Sequence, residues 1–206
     1  MLLEIHPKDP QPQRIRQVVE LLDKGGVVVC PTDTVYAFVC SAHQSRAVER
    51  VAALKGVRPE KAELSLICRD LGQLSLYARS VDTPAFRIMK AALPGPFTFI
   101  LNASGEIPKL FKNKRRTVGI RVPDHPVPLA LAEGLGHALV ATSVHDADSV
   151  LEHTSDPQVV HERFGHQVDL VIDSGPGGLE GSTVIDLTSG TPEVLRQGKG
   201  PVEDLW

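Results

Sequence analysis

Short apolar runs alternate with segments of helical periodicity along this sequence, and this alternation constrains the fold most strongly. The apolar residues within 15–22 recur at the i, i+3, i+4, i+7 spacing of an amphipathic helix, which Gly25 and Gly26 end. Residues 27–30 then form a β-branched run that stops at Pro31. Because the alternation continues without strict βαβ order, we expect an α/β fold in which helices flank a twisted, mixed β-sheet.

The same patterns predict the remaining elements of the chain. Further strands are predicted at residues 64–68, 97–101, 117–122, 138–143, 168–173, 183–187 and 194–197. Further helices are predicted between Ser45, as N-cap, and Gly56, and at residues 71–77, 84–92, 126–135 and 157–164. No internal repeat or linker divides the sequence, so we expect a single domain over residues 1–206.

Charge and cysteine content exclude several classes of protein. The 22 Lys and Arg residues against 25 Asp and Glu give a net charge of −3, which excludes a basic protein that binds nucleic acid along its whole surface. The sequence has no signal-peptide pattern and no apolar stretch of about 18 residues, so we expect no membrane association. The 3 cysteines form no C-x-x-C pair, which favours buried thiols in a reducing compartment over a metal site. We therefore expect a cytoplasmic protein.

A polar segment follows the first predicted strand. Residues 31–36, Pro-Thr-Asp-Thr-Val-Tyr, carry three hydroxyls and a carboxylate. Ligand sites of open α/β sheets lie at the carboxyl ends of strands, so these groups are placed to bind a small polar ligand. The alternative is an ordinary capped turn, because Thr and Asp are common turn residues.

Positive charges concentrate in two places. Lys55, Arg58 and Lys61 follow the predicted second helix, where they either cap its C-terminus or bind a phosphate or carboxylate. Six cations within residues 109–121 indicate either a solvated loop or a surface for an anionic partner such as RNA. Arg121 differs from the others because it lies in a predicted strand among apolar neighbours, where it needs a partner or an anionic ligand.

Further polar groups stand beside the later strands. Ser143 and His145 end one strand, Ser182 precedes another, and Arg196 lies in the last. His145 either contacts a nucleotide or is a surface turn residue, and the other histidines show no metal-ligand spacing. The chain has neither a P-loop nor a G-x-S-x-G elbow, so any nucleotide binding must be of another kind.

These segments, in this order, resemble the YrdC-like family, the threonylcarbamoyl-adenylate synthases that start the universal threonylcarbamoyladenosine modification of tRNA. The resemblance rests on residues 31–36, 58–59, 94–98, 121–123, 142–143, 182–186 and 194–196. It implies a YrdC-like domain over residues 1–206, with a twisted α/β sheet around a large electropositive cavity. The extra C-terminal domain of the longer synthases is not expected.

The resemblance also implies an activity and a site. Family members join L-threonine, bicarbonate and ATP with Mg²⁺ to give threonylcarbamoyl-AMP and pyrophosphate, with no tightly bound cofactor, and the resemblance assigns no metal ligand in this sequence. Lys55 and Arg58 would be catalytic, and the threonine would be held by Thr34, Arg121 and Ser182. The nucleotide and its phosphates would be held by Lys55, Arg58, Thr117, Ser143, His145 and Arg196. These residue types suit adenylation, which needs cations on developing phosphate charge more than it needs a protein nucleophile.

The sequence departs from the family pattern at its nucleotide-handling motifs. The family's Lys-x-Arg is one residue longer here, in 55–58, and its Ser-x-Asn is replaced by Ser-Val-His in 143–145. Ala37 stands where a glycine is usual, and Gln197 where a proline is usual. Because the fold-forming segments are kept, the chain resembles the YciO branch, as do residues 5–7 and 67–71.

Three functions are therefore open at the level of sequence, and so is the question of whether the protein is an enzyme. The first is a threonylcarbamoyl-AMP synthase of reduced efficiency. The second is a non-catalytic module that binds tRNA or double-stranded RNA, without DNA specificity, through Lys109, Lys112, Lys114, Arg115 and Arg116. The third is a related adenylate-forming enzyme that uses a different acid.

Overall fold

The computed structural model describes residues 1–56, 64–107, 116–144, 155–203 and 205. Its elements run in the order β1 (Leu2–Glu4), α1 (Pro12–Asp23), β2 (Val27–Cys30), β3 (Ala37–Ser41), α2 (Ser45–Leu54), β4 (Ser65–Ile67), α3 (Leu71–Tyr77), α4 (Thr83–Ala92), β5 (Phe97–Asn102), β6 (Thr117–Arg121), α5 (Pro126–Leu135), β7 (Leu139–Ser143), α6 (Pro157–Phe164), β8 (Leu170–Asp173), β9 (Thr183–Asp186) and β10 (Glu193–Arg196).

All of these strands belong to one sheet. Its order is β1-β8-β2-β3-β7-β4-β6-β5-β9-β10. The pairs β1–β8, β2–β8, β4–β6 and β5–β9 are parallel, whereas β2–β3, β3–β7, β4–β7, β5–β6 and β9–β10 are antiparallel. The predicted α/β fold, with a mixed sheet and flanking helices in a single domain, is confirmed.

The sequence patterns miss two strands and misplace one helix cap. β1 has three residues and pairs with β8, about 170 residues later in the sequence, so it has no local signal. β3 is buried at every position and therefore lacks the alternation that marks a half-exposed strand. Ser45 is not the N-cap of α2: the cap position is Gln44, whose side chain donates instead to the carbonyl of Asp23.

Aspartates and prolines define the starts of several helices. Asp70, Asp82 and Asp156 cap α3, α4 and α6, each accepting a hydrogen bond from a backbone N–H of the first turn. His125 caps α5 in the same way, since its Nδ1 accepts from the N–H of Val127 at 3.2 Å. Burial lowers the pKa of His125, which keeps Nδ1 an acceptor near neutral pH.

Two apolar cores cover the sheet, one on each face. The first core packs apolar residues of α2, α3, α4 and α6 against side chains such as Phe38, Leu66 and Phe99. The second packs α1 and α5 against side chains of β2, β3, β7, β8 and β4, including Val39 and Ile67. Among the described residues, the second core takes none from β5, β6, β9 or β10.

The face bearing the second core becomes polar where that core stops. Ile67 belongs to the second core and pairs directly with Arg121 of β6, so the two side chains share that face. By alternation along β6 and pairing with β5, Thr117 and Thr98 also lie on it. The sheet thus presents a polar surface along β5 and β6, where helices α1 and α5 do not cover it.

Candidate functional site

The segment between β2 and β3, residues 31–36, is a buried loop held by its own hydroxyls. Thr32 Oγ1 donates to the carbonyl of Val35 at 2.7 Å and accepts from the N–H of Thr34 at 3.1 Å. The two threonine hydroxyls lie 3.0 Å apart. Because the single proton of Thr32 goes to Val35, the Thr34 hydroxyl donates to Thr32 and keeps its lone pairs for other donors.

Arg121 enters this loop from β6. Its Nη2 donates to Asp33 Oδ1 at 2.8 Å and to Thr34 Oγ1 at 3.0 Å. The Arg121 and Asp33 side chains are only 10% and 7% exposed. Asp33 Oδ2 accepts from the N–H of Asp124 at 3.0 Å, which fixes the carboxylate. Two of the polar residues predicted for the site, Thr34 and Arg121, therefore lie in one cluster.

One donor of this cluster has no partner among the residues that the structure describes. Arg121 Nε is buried and makes no hydrogen bond to any described residue. Burial lowers the pKa of Arg121, and Asp33 opposes that shift. An unsatisfied buried N–H is costly, so an acceptor supplied by a ligand would stabilise the site.

The contact between Thr34 and Arg121 joins residues from two strands that are not neighbours in the sheet. β2 and β6 are separated by β3, β7 and β4 in the sheet order. Four spacings of about 4.8 Å would put them about 19 Å apart in a flat sheet. The 3.0 Å contact between Thr34 and Arg121 therefore depends on the reach of the 31–36 loop and of the Arg121 side chain, together with the twist that sheets normally have.

Ser182, Thr98 and Arg196 form a second cluster beside the first. Ser182 precedes β9, and its hydroxyl shares a 2.7 Å hydrogen bond with Thr98 Oγ1 of β5. Arg196 of β10 donates through Nε and Nη2 to the carbonyl of Ser182, at 3.2 and 3.0 Å. The positive charge of Arg196 helps to lower the pKa of Arg121, so the two clusters are electrostatically coupled.

Lys55 and Ser143 meet at a third point. Lys55 is the C-cap residue of α2, and its Nζ donates to the carbonyl of Ser143 at 3.1 Å. Thr117 lies on the Arg121 face of β6 but at the other end of the strand, four residues or about 13 Å away. The structure thus pairs three sets of residues predicted for one site: Thr34 with Arg121, Ser182 with Arg196, and Lys55 with Ser143.

Other predicted residues fall outside the described part of the chain. These are Arg58, Lys61, His145, Lys109, Lys112, Lys114 and Arg115. Arg116, the remaining residue of the predicted RNA-binding set, is exposed. Its carbonyl accepts from the N–H of Ala103 at 2.8 Å.

The structure adds three residues to those assigned individually to the site from the sequence. Asp33 pairs with Arg121, Thr98 with Ser182, and Lys199 Nζ donates to the backbone carbonyl of Asp33 at 2.5 Å. Asp33 and Thr98 lie within residues 31–36 and 94–98, two of the motifs on which the family resemblance rests. Those motifs are the sequence signal that indicates them. Lys199 has no such signal, because its contact spans the sheet.

Tyr36 joins the loop to the glycine-rich segment after β8. Its hydroxyl donates to the carbonyl of Gly175 at 2.8 Å and accepts from the N–H of Ser174 at 3.3 Å. The N–H of Gly178 donates to the carbonyl of Thr34 at 2.6 Å, and a Cβ at position 178 would collide with that carbonyl. This close approach requires glycine and holds Thr34 in place.

The three cysteines belong to the buried interior of the protein. Cys30, Cys40 and Cys68 are buried free thiols, as predicted. Burial raises the pKa of Cys40 and of Cys68 to about 12, and it also raises that of Cys30. In the described ranges, no three His, Cys, Asp or Glu side chains are grouped to hold a metal ion. None of the described helices is long and apolar enough to cross a bilayer.

Comparison with known proteins places the chain in a family. Residues 20–198 match the Sua5/YciO/YrdC family model, whose description reads telomere recombination. The chain belongs to the Sua5/YciO/YrdC family. The family resemblance expected from the sequence is therefore confirmed.

Two sequence relatives locate the chain within the Sua5/YciO/YrdC family. The YciO protein of Escherichia coli (strain K12) is 44% identical over 200 residues, which cover 97% of this chain and 96% of YciO. The threonylcarbamoyl-AMP synthase of Halorhodospira halophila is 36% identical over 184 residues, covering 87% of this chain and 92% of the synthase. The identity is higher to the YciO protein than to this synthase.

Solved structures of the Sua5/YciO/YrdC family share the fold. The crystal structure of E. coli YciO superposes with a TM-score of 0.91 at 43% identity, covering 100% of this chain and 99% of that one. Pyrococcus abyssi Sua5 complexed with L-threonine gives a TM-score of 0.89 at 29% identity. The match covers 100% of this chain and 59% of Sua5, which is the longer protein.

Proposed function

We propose that this protein is a threonylcarbamoyl-AMP synthase-type enzyme that uses L-threonine, bicarbonate and ATP. The observation that carries the proposal is the buried Arg121, which contacts Thr34 and Asp33 and whose Nε has no hydrogen-bond partner in the described part of the chain. A buried guanidinium of this kind suits a carboxylate ligand. Membership of a family that includes named threonylcarbamoyl-AMP synthases, and a Sua5 structure with L-threonine, supports L-threonine as that ligand.

In this proposal, the first two clusters hold the amino acid. The threonine carboxylate accepts from Arg121 Nε, and the Thr34 hydroxyl lies beside it. Ser182 supplies a further hydroxyl, whose position is fixed by Thr98 and Arg196. Because Asp33, itself fixed by the backbone N–H of Asp124, holds the guanidinium in place before the ligand arrives, little ordering is needed on binding.

The nucleotide lies toward the cations in the same proposal. Arg196 and the Lys55–Ser143 pair are the described members of this set, and Thr117, Arg58 and His145 are assigned to it from the sequence alone. Lys55 already reaches across from α2 to β7, which supports its use despite the extra residue before Arg58. Cations there stabilise the negative charge that develops when the α-phosphate is attacked.

The reaction balances without a protein nucleophile. The threonine amine forms a bond to the bicarbonate carbon with loss of water, and a carboxylate oxygen of the resulting carbamate attacks the α-phosphorus. Pyrophosphate leaves, and threonylcarbamoyl-AMP remains. Mg²⁺ would arrive on the phosphates of ATP, which fits a described site that offers cations and hydroxyls in place of a cage of acids. We further propose that the product serves threonylcarbamoyladenosine formation in tRNA.

The test is pyrophosphate release by the purified chain with ATP, Mg²⁺ and bicarbonate, with and without L-threonine. Thr34→Val removes the hydroxyl and keeps the branched shape, so we expect kcat/KM for L-threonine to fall by about tenfold or more. Lys55→Met is expected to lower kcat at saturating L-threonine. Lys24→Ala, which removes an exposed lysine at the end of α1, is the matched control and should behave as wild type.

The two variants separate the proposed roles. The assignment is supported if Thr34→Val lowers kcat/KM for L-threonine and Lys55→Met lowers kcat. Both variants should keep the circular dichroism spectrum of the native fold. Pyrophosphate release that ignores L-threonine in the wild-type chain would contradict the proposed substrate and favour a different acid. Absence of release with every component present would contradict the synthase activity itself.

A further inference from the structure

The side chain of Lys199 crosses from the segment after β10 to the 31–36 loop. Its Nζ donates to the backbone carbonyl of Asp33, 166 residues away in sequence, at 2.5 Å. The backbone from which it starts is fixed, since the N–H of Lys199 donates to the carbonyl of Gly181 at 2.9 Å. The hydroxyl of Thr183 accepts from the N–H of Gly198 at 3.0 Å and donates to the carbonyl of Gly200 at 2.6 Å. Lys199 is therefore held beside the site by its own main chain.

Close packing on both sides of Lys199 fixes the main chain from which its side chain starts. A Cβ at Gly198 would overlap the backbone of Gly181 and Ser182, and one at Gly200 would lie 2.6 Å from the ring of Phe97. The two glycines thus let the segment run against the start of β9 and against β5. Between them, Lys199 is exposed, and its long side chain reaches Asp33.

Lys199 and Arg196 carry positive charge that no described acid neutralises. Arg196 donates to the carbonyl and hydroxyl of Ser182, and Lys199 donates to a carbonyl, so all these acceptors are neutral. In the described part of the chain, the acid of the site, Asp33, is paired with Arg121. A lysine ammonium has three N–H donors, and the Asp33 carbonyl takes one of them.

We propose that Lys199 binds the phosphate chain of the nucleotide, together with Arg196, at the edge of the 31–36 loop. The inference rests on the proposed function in that the anion is taken to be a nucleotide polyphosphate. Two uncompensated cations on one exposed segment match a multiply charged anion better than a single carboxylate. Arg121, already neutralised by Asp33 and buried, suits the single carboxylate instead.

Isothermal titration of the full chain with Mg-ATP, inorganic pyrophosphate, AMP and L-threonine tests this proposal. We expect Lys199→Ala to weaken binding of Mg-ATP and pyrophosphate by about tenfold, the effect of one charge-assisted hydrogen bond. Binding of L-threonine alone should stay within about twofold of wild type, and AMP should lose less than ATP. Lys199→Arg should restore most of the loss, and Lys24→Ala should show none.

The outcomes separate this inference from the proposed function. If Lys199→Ala binds ATP and pyrophosphate as tightly as wild type does, the inference is overturned, even if the wild-type chain makes threonylcarbamoyl-AMP. An equal loss for L-threonine and pyrophosphate also overturns it, because Lys199 would then only hold the 31–36 loop in shape. The inference is supported if Lys199→Ala loses affinity for ATP and pyrophosphate but not for L-threonine. This holds even if the wild-type protein forms no threonylcarbamoyl-AMP. A wild-type chain that binds neither ATP nor pyrophosphate contradicts it.

Discussion

Asp33 and Arg121 form an ion pair across 88 residues of sequence, with a 2.8 Å contact between two side chains that are 7% and 10% exposed. Such a pair adds little net stability to the fold. Removing one partner is nevertheless costly, because it leaves a buried charge without compensation. The geometry of the candidate site depends on it, since the same Nη2 also donates to Thr34.

Removal of the Asp33 carboxylate should therefore destabilise the fold strongly. We expect Asp33→Ala to lower the free energy of unfolding by about 3–5 kcal/mol, and Asp33→Asn, which keeps a hydrogen-bond acceptor, to lower it by less. Urea unfolding followed by circular dichroism measures both. The matched control is Arg50→Ala, which breaks the ion pair to Asp169 between side chains 45% and 37% exposed. That change should lower the free energy of unfolding by less than about 1 kcal/mol. Equal losses of stability in Asp33→Ala and Arg50→Ala would contradict a special role for the buried ion pair.

Stability should depend on pH through His125. Burial lowers its pKa, against the opposing charges of Asp33 and Asp124. Below its ordinary pKa of about 6.5, the unfolded chain then binds this proton more readily than the folded chain. The free energy of unfolding should fall as the pH is lowered from about 7 toward about 5. His137, whose pKa burial also lowers, contributes in the same direction.

His125→Asn isolates the contribution of His125. Asparagine is a favoured N-cap, so α5 keeps its cap while the titrating group is lost. Urea denaturation at several pH values should give a shallower slope for this variant than for wild type. An unchanged slope would assign the pH dependence to other groups.

The three thiols should be unreactive in the folded protein. Burial raises the pKa of Cys40 and of Cys68 to about 12 and also raises that of Cys30, so the thiolate is scarce at about pH 8. We expect an aromatic disulfide reagent to modify them only in denaturant, where all three react. Rapid reaction of one thiol in the native chain would show that its strand opens readily.

Binding of RNA is a prediction from the sequence that needs its own measurement. The basic stretch predicts binding of tRNA or double-stranded RNA whose affinity falls steeply with salt. Lys114→Ala with Arg115→Ala should weaken RNA binding and leave ATP binding intact, as followed by fluorescence anisotropy at two salt concentrations. RNA binding that is insensitive to both salt and these substitutions would remove the basic stretch as an RNA surface.

Much of the fold is encoded in local signals. The helices α3, α5 and α6 begin and end where the sequence predicts, because Asp or His caps and first-turn prolines mark their starts. β1 and β3 escape prediction for opposite reasons. β1 has three residues and joins the sheet through β8, about 170 residues later in the sequence, whereas β3 is buried at every position.

The site shows the same division between local and long-range information. Arg121 can be singled out from sequence because an arginine in an apolar strand needs a partner. Its partner, Asp33, and the reach of Lys199 to Asp33 depend on strands that are far apart in sequence. Sequence patterns therefore supply the candidate residues, and the twisted sheet determines which of them meet.

Mass spectrometry of the reaction with ¹³C-bicarbonate, L-threonine, ATP and Mg²⁺ tests the central claim most directly. The account predicts a threonylcarbamoyl-adenylate that carries one ¹³C, requires L-threonine, and decreases in Thr34→Val while Lys24→Ala equals wild type. If the wild-type chain gives no labelled adenylate although it binds ATP and L-threonine, the proposed reaction is wrong.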